Sequence, residues 1–350
     1  MAKQRVAVIF GGRSGEHEVS VASARSVMAA LDASRWDVVP LAITRTGAWL
    51  DVEETREGLD AGQKSFEGGS GGALNSVPAL RALADCDVAF PLVHGTYGED
   101  GTIQGFLEIA GLPYAGAGVA ASAIGMDKSL MKALFHEAGL RVPLYSVIRS
   151  WEYALDKMIA TNLVESNLGY PCFVKPANGG SSVGITRAVS REDLPEAFRK
   201  AFAYDDTVVV ERAVIGAREV ECSVLGNERS EASVVGEVVP DRDFYDYDSK
   251  YASDSTTQLQ IPATLPDGVA EEVREMAVRM YQVMGCEGYA RVDFFVNEDG
   301  VIANEVNTIP GFTSISMYPK LWDATGLGYS ALLTRILELA FERHERRARR

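Results

Sequence analysis

The hydrophobic pattern in the first third of the chain predicts strands and helices in alternation. Apolar runs at residues 5–10, 37–44 and 88–93 predict buried strands, and small and apolar residues at helical spacing predict a helix over 19–31. This alternation is expected of a parallel α/β layer. Glycine-rich loops follow the first and third strands, at the strand ends where open α/β sheets bind ligands.

The remaining pattern predicts two further units, with a domain change near residues 116–118. The first is a small α+β unit, and the second is a set of strands covered by long helices and interrupted by a polar loop at 241–257. We therefore predict domains over residues 1–121, 122–216 and 217–350. The predicted elements are helices at 127–138, 191–204, 269–284 and 329–346, and strands at 171–174, 207–211, 220–225, 232–239, 289–296 and 301–306.

The last two predicted strands form a β-hairpin. Strand-like residues 290–296 and 301–307 flank a turn-like stretch that ends in Gly300. A three-residue loop with its glycine in the left-handed conformation is a common hairpin connection. We therefore pair Asn297 with Val301 and count back along both strands.

This register gives the hairpin an acidic face. It places Asp293 opposite Glu305 and Arg291 opposite Asn307, and strand alternation puts all four side chains on one face; a slip of one residue would separate the pairs. Two like charges about 4.5–5.5 Å apart destabilise a sheet, so something should neutralise them. Oxygen ligands of this kind suit Mg²⁺ shared with phosphates. The alternative is a solvated face whose carboxylates never meet.

A glycine-rich loop follows Lys175, which stands at the end of a predicted strand. Glycines at 179, 180 and 184 would let backbone N–H groups surround a phosphate while the lysine supplies charge. The residue order matches neither a Walker A motif nor a dinucleotide-binding fingerprint. A plain hairpin turn is the alternative. Lys128, Lys250 and the downstream acidic hairpin favour the phosphate interpretation.

A possible adenine-binding hinge follows the next strand, at residues 208–214. Its backbone could read an adenine edge, and Glu219 could accept hydrogen bonds from ribose hydroxyls. A strand that simply leaves a core has the same pattern, so this signal is weak by itself.

Composition narrows the class of protein. The chain has 350 residues, 47% of them hydrophobic, and a net charge of −15, so it lacks the basic footprint of a nucleic-acid-binding protein. No apolar run approaches the roughly 20 residues of a membrane helix. The N-terminus has no signal-peptide pattern and the four cysteines have no metal or redox spacing, which leads us to expect a cytoplasmic protein.

Five motifs stand in order along nearly the whole chain. They are Phe10-Gly11-Gly12-Arg13-Ser14-Gly15-Glu16-His17-Glu18-Val19-Ser20, His94-Gly95-Thr96-Tyr97-Gly98-Glu99-Asp100-Gly101, residues 175–184, Tyr247-Asp248-Ser249-Lys250-Tyr251 and Asn304-Glu305-Val306-Asn307-Thr308-Ile309-Pro310-Gly311. Together they resemble the ATP-grasp superfamily and, within it, the D-alanine–D-alanine ligases. The resemblance implies an N-terminal Rossmann-like α/β domain followed by a two-part ATP-grasp fold.

The resemblance implies that ATP lies between the central and C-terminal domains, with two Mg²⁺ ions for which Mn²⁺ can substitute. The residues that it assigns to ATP are Lys128, Lys175, Lys250, Ser182, Glu211, Val214, Glu219, Phe244 and Asn304. Its metal ligands are Asp293, Glu305 and Asn307.

The resemblance also implies two D-alanine subsites. Glu16 would bind the first ammonium, linked to Ser181 and Tyr251 with His94 nearby, and Ser316 and Met317 would contact the second substrate. Arg291 and the Gly311 N–H would hold an oxyanion. Loop 241–257 would be the lid, and the protein would be a homodimer.

The implied reaction joins two D-alanines through an acylphosphate, with release of ADP and phosphate, for peptidoglycan precursor synthesis. Two alternatives stay open. One is a D-alanine–D-lactate ligase, which the Ser-Lys-Tyr context of Tyr251 disfavours. The other is a non-catalytic nucleotide or small-molecule binding protein, which would leave the hairpin and the lysines unexplained.

Overall fold

A three-stranded parallel sheet of order β2–β1–β3 begins the fold. The computed structural model describes residues 3–69, 76–239 and 258–349. Val6 to Phe10 are completely buried, as expected of a parallel strand covered on both faces. The predicted strands and the first helix are confirmed with slightly different ends. The elements are β1 (Gln4–Gly11), α1 (His17–Ala30), β2 (Trp36–Ile43), α2 (Val52–Asp60), α3 (Val77–Ala84), β3 (Val88–Pro91) and α4 (Thr102–Ile109).

A four-stranded antiparallel sheet of order β4–β7–β5–β6 forms the middle of the chain. The helix predicted over 191–204 is shorter, because a 3₁₀ turn at Arg191–Asp193 precedes it and its last turn ends at Ala201. The elements are α5 (Val119–Met126), α6 (Lys128–Glu137), β4 (Tyr145–Arg149), α7 (Ser150–Leu155), α8 (Lys157–Asn167), β5 (Cys172–Pro176), β6 (Thr186–Ala188), α9 (Leu194–Ala201) and β7 (Thr207–Arg212).

A five-stranded antiparallel sheet of order β10–β9–β8–β11–β12 completes the described chain. Its strands and covering helices confirm the mixed α/β fold expected from the sequence. The elements are β8 (Arg218–Gly226), β9 (Ser230–Val239), β10 (Gln258–Gln260), α10 (Val269–Val283), β11 (Tyr289–Asn297), β12 (Gly300–Asn307), α11 (Met317–Thr325) and α12 (Tyr329–Ala348).

Two helices pack in cores with sheets that are distant from them in the sequence. The buried face of α12, with Leu332, Ile336 and Leu337, packs in one cluster with Phe10 and Phe90 of the first sheet. The buried side chains of α6 pack in a cluster with the third sheet and α10. The predicted domain limits at 121 and 216 therefore stay predictions, because these cores cross them.

The register of the hairpin differs from the prediction at its turn and agrees with it at its acidic end. Asn297 pairs with Gly300 rather than Val301, so the loop has two residues and the predicted three-residue loop is wrong. A β-bulge between Asp293 and Phe294 leaves Asn304 unpaired and restores the predicted pairing beyond it. Gly300 has a φ of 109°, as expected for a glycine at this turn.

No helix in the described ranges 3–69, 76–239 and 258–349 is long and apolar enough to span a membrane.

Candidate active site

One cleft of about 1230 Å³ is lined by every predicted site residue that falls in the described part of the chain. It lies where the loops after β1 and β3, the loop after β5, and the β11–β12 hairpin face one another. Phe244, Lys250, Tyr251 and the predicted lid at 241–257 lie outside the described residues. The lining set is Glu16, His94, Lys128, Lys175, Ser181, Ser182, Glu211, Val214, Glu219, Arg291, Asp293, Asn304, Glu305, Asn307, Gly311, Ser316 and Met317.

A buried carboxylate holds two lysines beside the cleft. Glu211 Oε2 accepts a hydrogen bond of 2.7 Å from Lys175 Nζ, and its Oε1 lies 3.1 Å from Lys132 Nζ. Burial alone would raise the pKa of Glu211, but the two ammonium groups outweigh burial and lower it to about 2. Glu211 is therefore an anion that fixes Lys175 at the cleft wall, and the role of residue 211 in an adenine hinge stays a prediction.

Lys128, the third lysine of this region, is held in place by its position at the start of α6. Asp127 caps α6 by accepting from the backbone N–H groups of Ser129 and Leu130, which sets Lys128 at the first position of the helix. Lys128 Nζ then donates to the Gly179 carbonyl at 2.6 Å, across the cleft wall. The helix start and the glycine loop are thereby held together.

The loop after β5 adopts an unusual backbone conformation. Ser181 and Ser182 have φ values of 49° and 60°, in the left-handed region that non-glycine residues rarely occupy. Residues held in such conformations cluster at ligand-binding sites, where neighbours impose them. Here the Ser181 hydroxyl donates to a carboxylate oxygen of Glu16, which confirms the predicted contact between these two side chains.

The acidic face of the hairpin is a paired network. Arg291 Nε and Nη2 donate to the two oxygens of Asp293 at 2.7 Å each, and Asn307 Nδ2 donates to Asp293 Oδ2 at 2.9 Å. Glu221 of β8 lies 2.9 Å from Arg291 Nε. Burial alone would lower the pKa of Arg291, but Asp293 and Glu221 raise it well above its usual value. Arg291 thus provides part of the neutralisation that the like charges require.

The same residues fit a divalent cation. Asp293 and Glu305 are directly opposed in the sheet, and the amide nitrogen of Asn307 faces Asp293, which leaves its oxygen as the available ligand atom. In the described ranges no three His, Cys, Asp or Glu side chains group as a metal site. A metal here would therefore use two carboxylates, an amide oxygen and substrate oxygens, as Mg²⁺ does at phosphate sites.

The predicted hinge lines the cleft. Val214 and Glu219 both lie on the cleft wall, in the connection from β7 to β8 and at the start of β8. The roles of these residues toward adenine and ribose stay predictions.

The loop after β12 lines one side of the cleft. Ser316 Oγ accepts from the Thr313 N–H at 2.9 Å and lies 2.8 Å from Thr313 Oγ1. A β-carbon on Gly311 would lie 2.7 Å from Ser316 Oγ, so only glycine fits there without rearrangement. Met317 packs against Val238 and Leu321 beside this loop.

His94 lies near Glu16, as predicted, but both of its ring nitrogens already have protein partners. Nδ1 lies 2.9 Å from the Ile309 carbonyl oxygen and Nε2 lies 3.1 Å from Ser23 Oγ. Burial lowers the pKa of His94, although Glu16 and the carbonyl oppose this, so the ring is neutral. Since a carbonyl only accepts, Nδ1 carries the proton and Nε2 accepts from Ser23.

Three ionisable residues of the site were not predicted from the sequence. Lys132 follows Lys128 by one helical turn, a spacing that could have identified it. Glu221 lies opposite Asp293 on β8, and only the sheet order shows this. Glu99 stands within the second quoted motif. Burial, and after it the charge of Glu16, raises the pKa of Glu99 to about 8. Hydrogen bonds from the N–H groups of Gly95 and Ile309 and the charge of Arg291 act in the opposite direction.

Comparisons with known proteins agree with this geometry. The families described as D-ala D-ala ligase N-terminus and D-ala D-ala ligase C-terminus match residues 5–117 and 134–338. The chain belongs to the D-alanine–D-alanine ligase family. It is 46% identical to the D-alanine–D-alanine ligase of Geobacillus kaustophilus, over 98% of this chain and 96% of the relative.

Solved structures of the family have the same fold. The D-alanine–D-alanine ligase from Coxiella burnetii has a TM-score of 0.83 and 33% identity, covering 100% of this chain and 97% of that one. The VanG D-Ala:D-Ser ligase from Enterococcus faecalis has a TM-score of 0.80 and 33% identity, covering 97% of this chain and 100% of that one. The ligase family fold therefore accommodates more than one acceptor.

Proposed function

We propose that this chain joins two D-alanine molecules in an ATP-dependent reaction and so supplies D-alanyl-D-alanine for peptidoglycan precursors. The observation that carries the proposal is the lining of one cleft. It holds two lysines suited to phosphates, the opposed Asp293–Glu305 pair, and Glu16 suited to an ammonium group. The family supports ATP as the co-substrate.

The first step activates a carboxylate, because amide formation from a free carboxylate is unfavourable in water. A carboxylate oxygen of the first D-alanine attacks the γ-phosphorus of ATP, the bond to the bridging oxygen breaks, and ADP leaves. Lys128 and Lys175 face the phosphates and stabilise the negative charge that shifts between them. Glu16, joined to Ser181, holds the substrate ammonium so that the carboxylate points toward the phosphate.

Asp293, Glu305 and Asn307 would hold two Mg²⁺ ions, with Mn²⁺ as a substitute. When bound, such ions neutralise phosphate charge. The paired carboxylates and the amide oxygen of Asn307 support this assignment.

The second step forms the amide. The amine of the second D-alanine attacks the acyl carbon, the carbon–oxygen bond to phosphate breaks, phosphate leaves, and the nitrogen gives up a proton. Arg291 and the Gly311 N–H would stabilise the oxyanion, at about 3–4 kcal/mol per donor. Ser316 and Met317 would receive the carboxylate and methyl group of the second substrate.

The choice of acceptor distinguishes this proposal from its alternatives. Purified chain with ATP and Mg²⁺ should be given equimolar D-alanine, D-serine and D-lactate between pH 6 and 9, with products identified by mass spectrometry. We expect D-alanyl-D-alanine to dominate and ADP to form in equal amount. A dominant ester or D-alanyl-D-serine would move the chain to another acceptor class, and no ADP at all would favour a binding protein.

We also propose a homodimer located in the cytoplasm, with D-alanine and ATP as its small-molecule partners and with neither nucleic acid nor membrane among its partners. Sedimentation of the purified chain tests the dimer.

A further inference from the structure

The loop that carries Gly311 is held by side chains from outside it. Residues 309–312 form neither helix nor strand. The Ile309 N–H donates to Glu99 Oε1 at 3.2 Å, and the Ile309 carbonyl accepts from His94 Nδ1 at 2.9 Å. The backbone of Ile309 is thus held on both sides by the loop that follows β3.

The other end of the loop is held in the same way. The Phe312 N–H donates to Ser23 Oγ at 3.3 Å, and the Phe312 carbonyl accepts from Tyr329 Oη at 2.8 Å. The Phe312 ring has no exposed surface and packs against the rings of Phe90 and Tyr289, with centroids 5.6 and 5.4 Å away. Between these two ends stand only Pro310, which has no N–H, and Gly311.

Ser23 joins the two ends. Its hydroxyl donates to His94 Nε2 and accepts from the Phe312 N–H, so one buried serine of α1 connects both hydrogen-bonded ends of the loop. Ser23 is completely buried and does not line the cleft. Glu99 completes the frame, because its second oxygen accepts from the Gly95 N–H at 2.7 Å beside His94.

We propose that Ser23, His94 and Glu99 are positioning residues that set the direction of the Gly311 N–H for the amide-forming step. The inference rests on the proposed function. Preorganised donors are effective because they need no rearrangement as charge develops. Loosening the frame therefore slows attack by the amine without disturbing the lysines that serve phosphoryl transfer. The acylphosphate then lives longer and reacts with water, which gives ADP without dipeptide.

The test uses two serines of one helix. Ser23→Ala removes the hydrogen bond to the Phe312 N–H and the hydrogen bond to His94, which holds Ile309. Ser20→Ala is the matched control, since Ser20 is equally buried on α1 and its hydroxyl likewise makes two hydrogen bonds, donating to the Leu92 carbonyl and accepting from the Gly11 N–H. Both variants lose buried hydrogen bonds, at roughly 1–3 kcal/mol for each group left unpaired. Only Ser23→Ala changes the frame of the Gly311 loop.

The measurement is ADP formed per D-alanyl-D-alanine formed, together with the KM for ATP. For Ser23→Ala we expect a dipeptide rate about ten-fold lower, less than the roughly 100- to 1000-fold loss of a whole oxyanion donor. We also expect a ratio of ADP to dipeptide clearly above one and an unchanged KM for ATP. For Ser20→Ala we expect a ratio of one.

A ratio of one in Ser23→Ala, or an equal increase in Ser20→Ala, overturns the inference while leaving the proposed function standing. A wild-type chain that makes no dipeptide removes the proposed function and the inference together. If Ser23→Ala does not fold, Glu99→Gln replaces it. Its control is Asp100→Asn, the neighbouring carboxylate that accepts from the N–H groups of Tyr97 and Thr102 without touching residues 309–312. A ratio of ADP to dipeptide above one in Glu99→Gln alone supports the frame. An equal ratio in the two variants overturns the inference.

Discussion

Strand alternation predicted the residues of the acidic face. The predicted register was correct there because two departures from it cancel. The pairing of Asp293 with Glu305 was reached from a turn one residue too long, and the bulge at Asn304 cancelled that error. Bulges depend on local packing that a sequence pattern does not express. Glu221 was not predicted because β8 and β11 are neighbours in the sheet but far apart in the sequence.

Asp293→Asn tests the metal assignment at the residue scale. The substitution removes one of the opposed charges, and we expect ADP formation to fall by at least about 100-fold, the size of a lost electrostatic contact to a transition state. The fold should survive because Arg291 keeps Glu221 at 2.9 Å. Coupled detection of ADP at several Mg²⁺ concentrations measures the effect, and circular dichroism checks the fold.

The control for this variant is Asp299→Asn, an exposed carboxylate at the tip of the same hairpin. It should retain wild-type turnover. Near-normal turnover in Asp293→Asn would remove Asp293 from the metal site.

At the scale of elements, helix and strand types were predictable, whereas the packing that directs their side chains was not. The sequence predicted α6 with Lys128 at its start, and the role of Lys128 toward phosphate stays a prediction. The same helix places Lys132 one turn further on, buried against Glu211 of β7. To predict that Lys132 is buried next to a carboxylate, one must know which strand α6 covers. The order of elements along the chain does not give this.

Lys132→Met tests this packing. Glu211 would then attract Lys175 alone and draw it away from the phosphates, so we expect the KM for ATP to rise by about ten-fold, the cost of roughly one lost charged hydrogen bond. The KM for D-alanine should stay unchanged. The free energy of unfolding should fall by less than the roughly 3–5 kcal/mol that breaking a buried ion pair costs, because Lys175 still neutralises Glu211.

Steady-state kinetics with each substrate varied in turn measure this separation. Lys200→Met, an exposed lysine of α9, is the control and should change neither constant. Equal changes in both KM values for Lys132→Met would indicate a general structural role instead.

At the scale of the molecule, the family resemblance implied one site shared between domains. The four quoted motifs that fall in the described part of the chain all contribute residues to one cleft. The sequence could not show that α12 packs on the first sheet, or that α6 packs on the third. The core around α12 joins the first sheet to Leu225 and Tyr289 of the third sheet. The position of Gly311 likewise depends on side chains nearly 300 residues earlier, such as Ser23.

Transfer of labelled oxygen tests the central claim most directly. D-alanine carrying ¹⁸O in its carboxylate should be incubated with ATP and the purified chain, and the released phosphate examined by mass spectrometry. Because the carboxylate oxygen attacks the γ-phosphorus and leaves with it, we predict one ¹⁸O in each phosphate and one D-alanyl-D-alanine for each ADP. Unlabelled phosphate accompanying dipeptide, or AMP and pyrophosphate in place of ADP, would contradict the acylphosphate route.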